Sequence, residues 1–280
     1  MAVVKAVNHG GEISIKDVTK IYDPEGVHVV AMKDCSFDIA AGEFAVIVGP
    51  SGCGKTTLLN AIAGFDTITS GEIYLDGELI SSRDTQIRPS VERMVVFQNG
   101  ALFPWKTVME NIIYGPVVQK RMKRQEAIEA AREMLMQVGL NGIEDRYPEE
   151  LSSGVQRRVE ILRALINQPK VVMLDEPFRG LDAVAKTVMH EFLMDIFCTS
   201  PRTMFFITHD LDEAIFLGSK VIVMTTRPAQ VKKIVHIDLP WPREHHMIAS
   251  KAYLELKGEV LEAVHEEARK AFEAGEREMA

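Results

Sequence analysis

The run Gly49-Pro50-Ser51-Gly52-Cys53-Gly54-Lys55-Thr56 has the spacing of a loop that wraps an anion. Its glycines let successive backbone N–H groups turn inward where a Cβ would block the approach. A helix beginning near Lys55 adds unpaired amides and a partial positive charge at the same place. Lys55 is expected to reach the β- and γ-phosphates of a nucleoside triphosphate, and Thr56 to bind Mg2+, with Thr57 beside the same phosphates. A second group of residues, VVMLDE at 171–176, supplies carboxylates. Its apolar residues bury a strand, and Asp175 emerges at the C-terminal end, where ligands sit in open α/β sheets. Asp175 there can hold the magnesium shell, and Glu176 is placed to polarise a water as a general base. The two groups together imply hydrolysis of a nucleoside triphosphate.

A third stretch, LSSGVQRR at 151–158, repeats the logic of the first. Ser152, Ser153 and Gly154 open an expected helix ahead of two arginines, a second phosphate-binding helix start; read alone, the serines are an ordinary N-cap. Gln98 follows the apolar run MVVF and His209 follows the strand FFIT. His209 also stands beside a helix cap, because Asp210 and Glu213 have the spacing of a capping box. Asp182 precedes AVAKTVMHEFL and can cap that helix.

The elements that must position these residues are legible as periodicity. Residues 11–48 alternate in short β-branched runs, and GEIYLDGELI at 71–80 reads as a hairpin turning at Asp76-Gly77. FAVIVGPSGCGKTTLLNAIAG is a strand–loop–helix unit, a helical stretch covers about 105–141, and VVMLDEP and TMFFITHD are buried strands each followed by a helix. That alternation is the signature of a parallel sheet. Residues 229–280 change character: RPAQVKKIVHIDLPWPRE reads as strand and loop, and an amphipathic helix follows from about 250 to 273. Leu254, Leu261, Val264 and Ala268 fall near one face of it, either to pack back on the chain or to meet a partner.

Composition narrows the function. A net charge of −8, with KRMKR at 120–124 the one dense cationic cluster, argues against a nucleic-acid partner. Three scattered cysteines (Cys35, Cys53, Cys198) fit a reducing compartment. The first residues have no secretory pattern, and no apolar run approaches the roughly 20 residues that span a bilayer, so work at a membrane would need another chain.

In this order, the phosphate loop, Gln98, LSSGVQRR, LDEP, Gly180-Leu181-Asp182 and His209 resemble the ATPase subunit of an ABC transporter, over roughly residues 12–228. The resemblance implies an α/β fold: a P-loop NTPase cassette with a RecA-like, mostly parallel sheet core, an antiparallel β subdomain and an α-helical subdomain inserted at about 100–160. It implies ATP and Mg2+ as ligands and a two-fold dimer in which Ser152, Ser153 and Gly154 bind the γ-phosphate of ATP held by the other copy. Tyr22 sits where the family stacks an aromatic ring on adenine, though an edge tyrosine would look the same. Gln98 would touch the magnesium shell, Asp182 the interface, and His209 the γ-phosphate as a switch.

Two positions depart from the family: Ser153 stands where a glycine is usual, and Arg179 is unusual in a loop that faces the partner subunit. Leu102, Phe103 and Trp105 in FQNGALFPWKTVMENIIYG resemble the groove by which importer ATPases grip a helix of the permease. The texture of residues 221–243 is similar to the nitrate/sulfonate/taurine importers. The implied partners are a second copy, transmembrane permease subunits and, indirectly, a solute-binding protein, at the cytoplasmic face of the inner membrane. A soluble ABC-type ATPase acting on nucleic acid or ribosomes, or an importer of another solute class, is the alternative.

Overall fold

The computed structural model describes residues 10–23, 26–85, 88–200 and 202–273. The reading of the first residues as lacking a secretory pattern falls largely outside them. β1 (Ile13–Tyr22), β2 (Val29–Ile39), β4 (Ser70–Leu75) and β5 (Glu78–Ser82) form an antiparallel sheet in the order β2-β1-β4-β5. Asp76 and Gly77 join the last two strands with φ of 52° and 77°. Positive φ at both central residues is what a two-residue hairpin turn of matching twist requires.

The second sheet runs β10-β9-β3-β8-β7-β6, built from β3 (Phe44–Val48), β6 (Arg93–Val96), β7 (Val171–Asp175), β8 (Thr203–Ile207), β9 (Lys220–Met224) and β10 (Val231–His236). All neighbours are parallel except β10 on β9. Its central strands are apolar throughout because both faces are covered. Phe44, Val46 and Val48 point into a core shared with the helices, whereas Ala45 and Ile47 point into the core beneath the antiparallel sheet. Phe206 and Phe205 divide the same way on β8. Truncating one such ring to alanine costs about 3–5 kcal/mol.

Helix α1 (Lys55–Ala63) follows β3; α2 (Val108–Val118), α3 (Arg124–Gln137) and α4 (Ser153–Leu165) lie between β6 and β7. α5 (Ala183–Thr199) and α6 (Leu211–Leu217) follow β7 and β8, and α7 (Lys251–Glu273) closes the described chain. The layers are those of a mostly parallel core with an antiparallel β sheet and a helical insertion, as the sequence implied.

The last segment is continuous with this core. β10 is the edge strand of the main sheet, and α7 packs on α6, β9 and β10. Of the two roles open to the Leu254–Leu261 face, packing back on the chain is not the one the structure shows. Tyr253, Val260, Ala263 and Glu267 are buried, with Val264 partly so, while Leu254 and Leu261 are exposed. The helix carries two apolar stripes, and polar anchors choose between them: the Tyr253 hydroxyl donates to the Asp212 carbonyl at 3.0 Å. A second expectation also changes. Asp210 caps α6 by accepting from the amides of Asp212 and Glu213, but Glu213 does not reach back to the cap amide. It accepts from the Thr208 hydroxyl at 2.6 Å and pairs with Lys186 at 3.1 Å.

His190 on α5 is buried against Phe178, Phe216 and His245. Burial, then the neighbouring His245, pushes its pKa from 6.5 down to about 4, with Asp210, Asp212 and Lys186 the other charges facing it. Between those two values the unfolded chain binds a proton that the folded chain refuses. Stability is therefore lost as pH falls from 6.5 towards 4, by about 3 kcal/mol in all. Denaturant unfolding at pH 7 and pH 4.5 is expected to show most of that loss in the native chain and much less in His190→Phe; an equal loss in both would contradict the assignment.

Candidate active site

β6, β3, β7 and β8 are parallel neighbours or near neighbours, so their C-terminal ends deliver Gln98, the phosphate loop, Asp175-Glu176 and His209 to one edge of the sheet. The N-cap of α1 is Gly54, at φ 107°, which has no side chain to satisfy the first-turn amides. A Cβ there would meet the Ala31 carbonyl at 2.9 Å and the Ala229 side chain at 3.0 Å. The helix start is thus left for an external anion. Lys55 is buried, its ammonium donating to the carbonyls of Gly49 at 2.8 Å and Pro50 at 2.9 Å.

Thr56 lies against Asp175, its hydroxyl donating to Oδ2 at 3.0 Å. Burial pushes the Asp175 carboxyl above its ordinary range, and the neighbouring Glu176 charge adds to the rise, while Thr56 and Lys55 oppose it. A buried carboxylate beside a hydroxyl calls for a counter-charge with a taste for oxygen, which fits Mg2+. No cluster of three or more His, Cys, Asp or Glu among the described residues could hold a metal by itself. Mg2+ is commonly bound by one or two carboxylates together with substrate phosphates, so the residues present suffice.

Glu176 leaves the strand at φ 42°, a left-handed conformation unusual for a residue with a Cβ. Its amide donates to the Ile207 carbonyl at 2.9 Å, which ties the turn to β8. Glu176 Oε2 accepts from Gln98 Nε2 at 3.1 Å and stands 3.4 Å from His209 Nδ1 and 3.8 Å from Arg179 Nη1. Gln98 is itself held from behind. Arg157 is buried, pairs with Glu160 at 2.6 Å, and donates to the carbonyls of Phe97 at 2.6 Å and Gln98 at 2.8 Å. The first arginine of LSSGVQRR therefore positions a strand end and does not face a phosphate. Arg179, expected to meet a partner chain, is exposed beside Glu176 of its own chain.

Lys55, Thr56, Gln98, Glu176, Arg179 and His209 line a cavity of about 690 Å3 together with Tyr22, and Asp175, bonded to Thr56, is not part of that lining. Tyr22 is an exposed ring and not a core one. Its hydroxyl donates to Asp66 at 2.7 Å, and the Lys20 ammonium lies 4.7 Å from the ring centroid. Ser152, Ser153 and Gly154 are not in that lining; they share a separate hollow of about 190 Å3 with Asp182. Ser152 caps α4 by accepting from the Val155 amide at 3.4 Å, and Asp182 caps α5 by accepting from Ala185 at 2.9 Å. Ser153 is exposed at that hollow.

A phosphate loop on the central strand, a buried carboxylate beside its threonine and a second carboxylate aimed by an amide define a nucleoside-triphosphate hydrolase. The ABC transporter family profile matches residues 32–179. The chain is 38% identical over 250 residues, 89% of this chain and 94% of the other, to the aliphatic sulfonates import ATP-binding protein SsuB of Bacillus cereus. It is 40% identical over 232 residues, 83% and 85% of the two chains, to the nitrate import ATP-binding protein NrtD of Synechocystis sp.. Its fold superposes with a TM-score of 0.70 at 29% identity, over 81% of this chain and all of the other, on a dimeric post-hydrolysis state of the ATP-binding cassette MJ0796 bound to ADP and Pi. The chain belongs to the ABC transporter family, and its reaction is the hydrolysis of ATP.

Sequence reasoning passed over Arg227, which also lines the cavity; nothing in its local spacing marks it. Cys53, within the loop, is buried, and burial raises its thiol pKa, whereas Cys198 is exposed. Peptide mapping after maleimide treatment is expected to find Cys198 modified first. Cys53 should follow slowly, with loss of nucleotide binding that MgATP prevents. Undiminished binding after complete modification of Cys53 would refute its placement at the phosphates.

Proposed function

We propose that the chain is the ATPase subunit of an importer for a small oxyanion such as nitrate, a sulfonate or taurine, working as a two-fold pair at the cytoplasmic face of the inner membrane. The observation that carries the dimer is the separation of the two phosphate grips. The cavity with Lys55 and Glu176 contains none of the Ser152–Gly154 helix start, which opens elsewhere on the same chain. A head-to-tail pair joins each cavity to the other copy's helix start, and two ATP molecules are enclosed between them. The dimeric form of the similar MJ0796 cassette supports this arrangement.

In this reading Tyr22 stacks on adenine, and the loop residues Gly49, Pro50, Ser51, Gly52, Cys53 and Gly54, with Lys55 and Thr57, hold the phosphates. Thr56, Asp175 and Gln98 would hold Mg2+, which would supply charge neutralisation at the phosphates. Glu176 takes the proton of the attacking water, kept in place by Gln98, and His209 senses the γ-phosphate from beside the same carboxylate oxygen. The partner's Ser152, Ser153 and Gly154 complete the site, with Asp182 at the seam.

Permease coupling has its own supporting geometry. A hollow of about 510 Å3 opens between the β6 end and the helical insertion, lined by Phe65, Met94, Phe97, Phe103, Tyr114 and Arg163 among others. Asn111 is fully buried and fixes the loop above it, accepting from the Phe103 amide at 2.8 Å and donating to the Lys106 and Thr107 carbonyls at 3.0 Å. Phe103 packs edge-on to Tyr114 at 4.9 Å, and Trp105 stands 70% exposed at the rim, 5.5 Å from Phe103. Leu102 faces the core instead. An apolar hollow with an exposed aromatic rim suits a short helix of a membrane subunit. Among the described residues no helix is long and apolar enough to cross a membrane, so the membrane portion belongs to other subunits in this proposal. The cargo assignment rests on the sulfonate and nitrate relatives.

Glu176→Gln keeps the hydrogen bond to Gln98 and removes the base. It is expected to lower kcat by about 10²–10⁴-fold while nucleotide still drives dimerisation in size-exclusion chromatography; turnover within a few-fold of the native rate would refute the general-base role. Trp105→Ala is expected to weaken co-purification with the permease and leave ATP binding unchanged, and unaltered co-purification would remove the rim from the docking site.

A further inference from the structure

Arg227 lies in the turn between β9 and β10. Its Nε donates to the Gly52 carbonyl at 2.9 Å, and a Cβ on Gly52, at φ 73°, would come 3.0 Å from Nη2. The guanidinium thus rests directly on the phosphate loop. The peptide that it holds is pinned at both ends, because the Cys53 amide on the far side donates to the Pro50 carbonyl at 3.3 Å. A planar trans peptide points its C=O and N–H in opposite directions, so fixing that plane fixes the path of the chain into Gly54 and the first turn of α1.

The turn is in its own right held by the C-terminal helix. Thr225 ties it off, donating its hydroxyl to the Pro228 carbonyl at 2.8 Å and accepting from the Gln230 amide at 2.9 Å. Next to Arg227, the Thr226 amide donates to Glu267 Oε2 at 3.1 Å. Glu267 is buried on α7 and is kept charged and oriented by Lys232 at 3.0 Å and Lys270 at 2.7 Å. An unbroken path of contacts therefore runs from α7 through Glu267, Thr226 and Arg227 to Gly52. A loop that must close around an anion binds it better when its backbone is already ordered.

We propose that Arg227 is a positioning residue for nucleotide binding, and that the C-terminal helix sets ATP affinity through the Glu267–Thr226–Arg227–Gly52 path. The proposal rests on the reading of the cavity as the ATP site. It is separable from that reading by variants of the full chain, measured by binding of a fluorescent ATP analogue with Mg2+ and by steady-state hydrolysis. Arg227→Met removes the donor at the position of Nε, whereas Arg227→Gln carries an amide N–H at that same position. Arg227→Met is expected to raise both Kd and the KM for ATP on the order of tenfold while kcat falls less than twofold, and Arg227→Gln to recover most of the affinity. Glu267→Met should shift Kd in the same direction, and the double variant should be no weaker than Arg227→Met alone, since both cut one path. Native affinity in Arg227→Met, or Arg227→Gln as weak as Arg227→Met, would overturn the role of the Gly52 bond. Native affinity in Glu267→Met would overturn the link to the helix. A native chain that binds no nucleotide would instead overturn the reading of the cavity.

Discussion

A buried ammonium with no carboxylate in contact, set beside a helix start with nothing to cap it, is the constraint on which the site depends. Lys55 donates to two carbonyls and to the Cys53 sulfur, and no ion pair to it is formed among the described residues. Its charge and the α1 amides both seek an anion, and burial amplifies that demand because a charge removed from water must be answered nearby. The opposite demand sits two strands away in the sheet, where burial disfavours the charged form of Asp175. A triphosphate with Mg2+ answers both at once. Phosphoryl transfer of this kind is positioning and electrostatics, and the parallel strands deliver the positioning.

Much of this was readable in the amino acids because the relevant physics is local. A phosphate loop needs its glycines, its lysine and the following helix within a few residues, and a doubly covered strand has to be apolar at every position. The strand bearing Asp175 and the strand that leads to His209 followed from that, as did the Asp76-Gly77 hairpin. The rest depended on contacts between distant residues. Arg227 is brought to Gly52 by the pairing of β9 with β3, which no spacing encodes. On α7 the helical period offered two apolar stripes, and only the tertiary partners Asp212 and Thr226 decide that Tyr253 and Glu267 turn inward. Likewise Glu213 had the spacing of a capping box, yet a threonine hydroxyl and a lysine outcompete the cap amide for it. Arg157 looked like part of a phosphate grip and serves as a strut for Gln98.

That strut joins the two halves of the proposed mechanism. α4 begins with the serines that, in the proposed pair, would face the other copy's nucleotide, and one turn later it holds the segment that carries Gln98 to Glu176. The same segment runs on to Ala101, whose amide donates to Glu160 of α4, and to Phe103 at the proposed permease hollow. Nucleotide, partner copy and membrane subunit would thus all act on one rigid helix and the loop that it braces.

The central claim is that each ATP is clasped by two chains, and complementation tests it most directly. A Lys55→Ala chain and a Ser152→Arg chain should each be nearly inactive alone. In a mixed pair one site joins both damaged halves and the other joins both intact halves. ATPase activity should therefore appear on mixing and rise with the mixed-dimer fraction. A mixture no more active than its two components, with mixed dimers shown to form, would contradict the account.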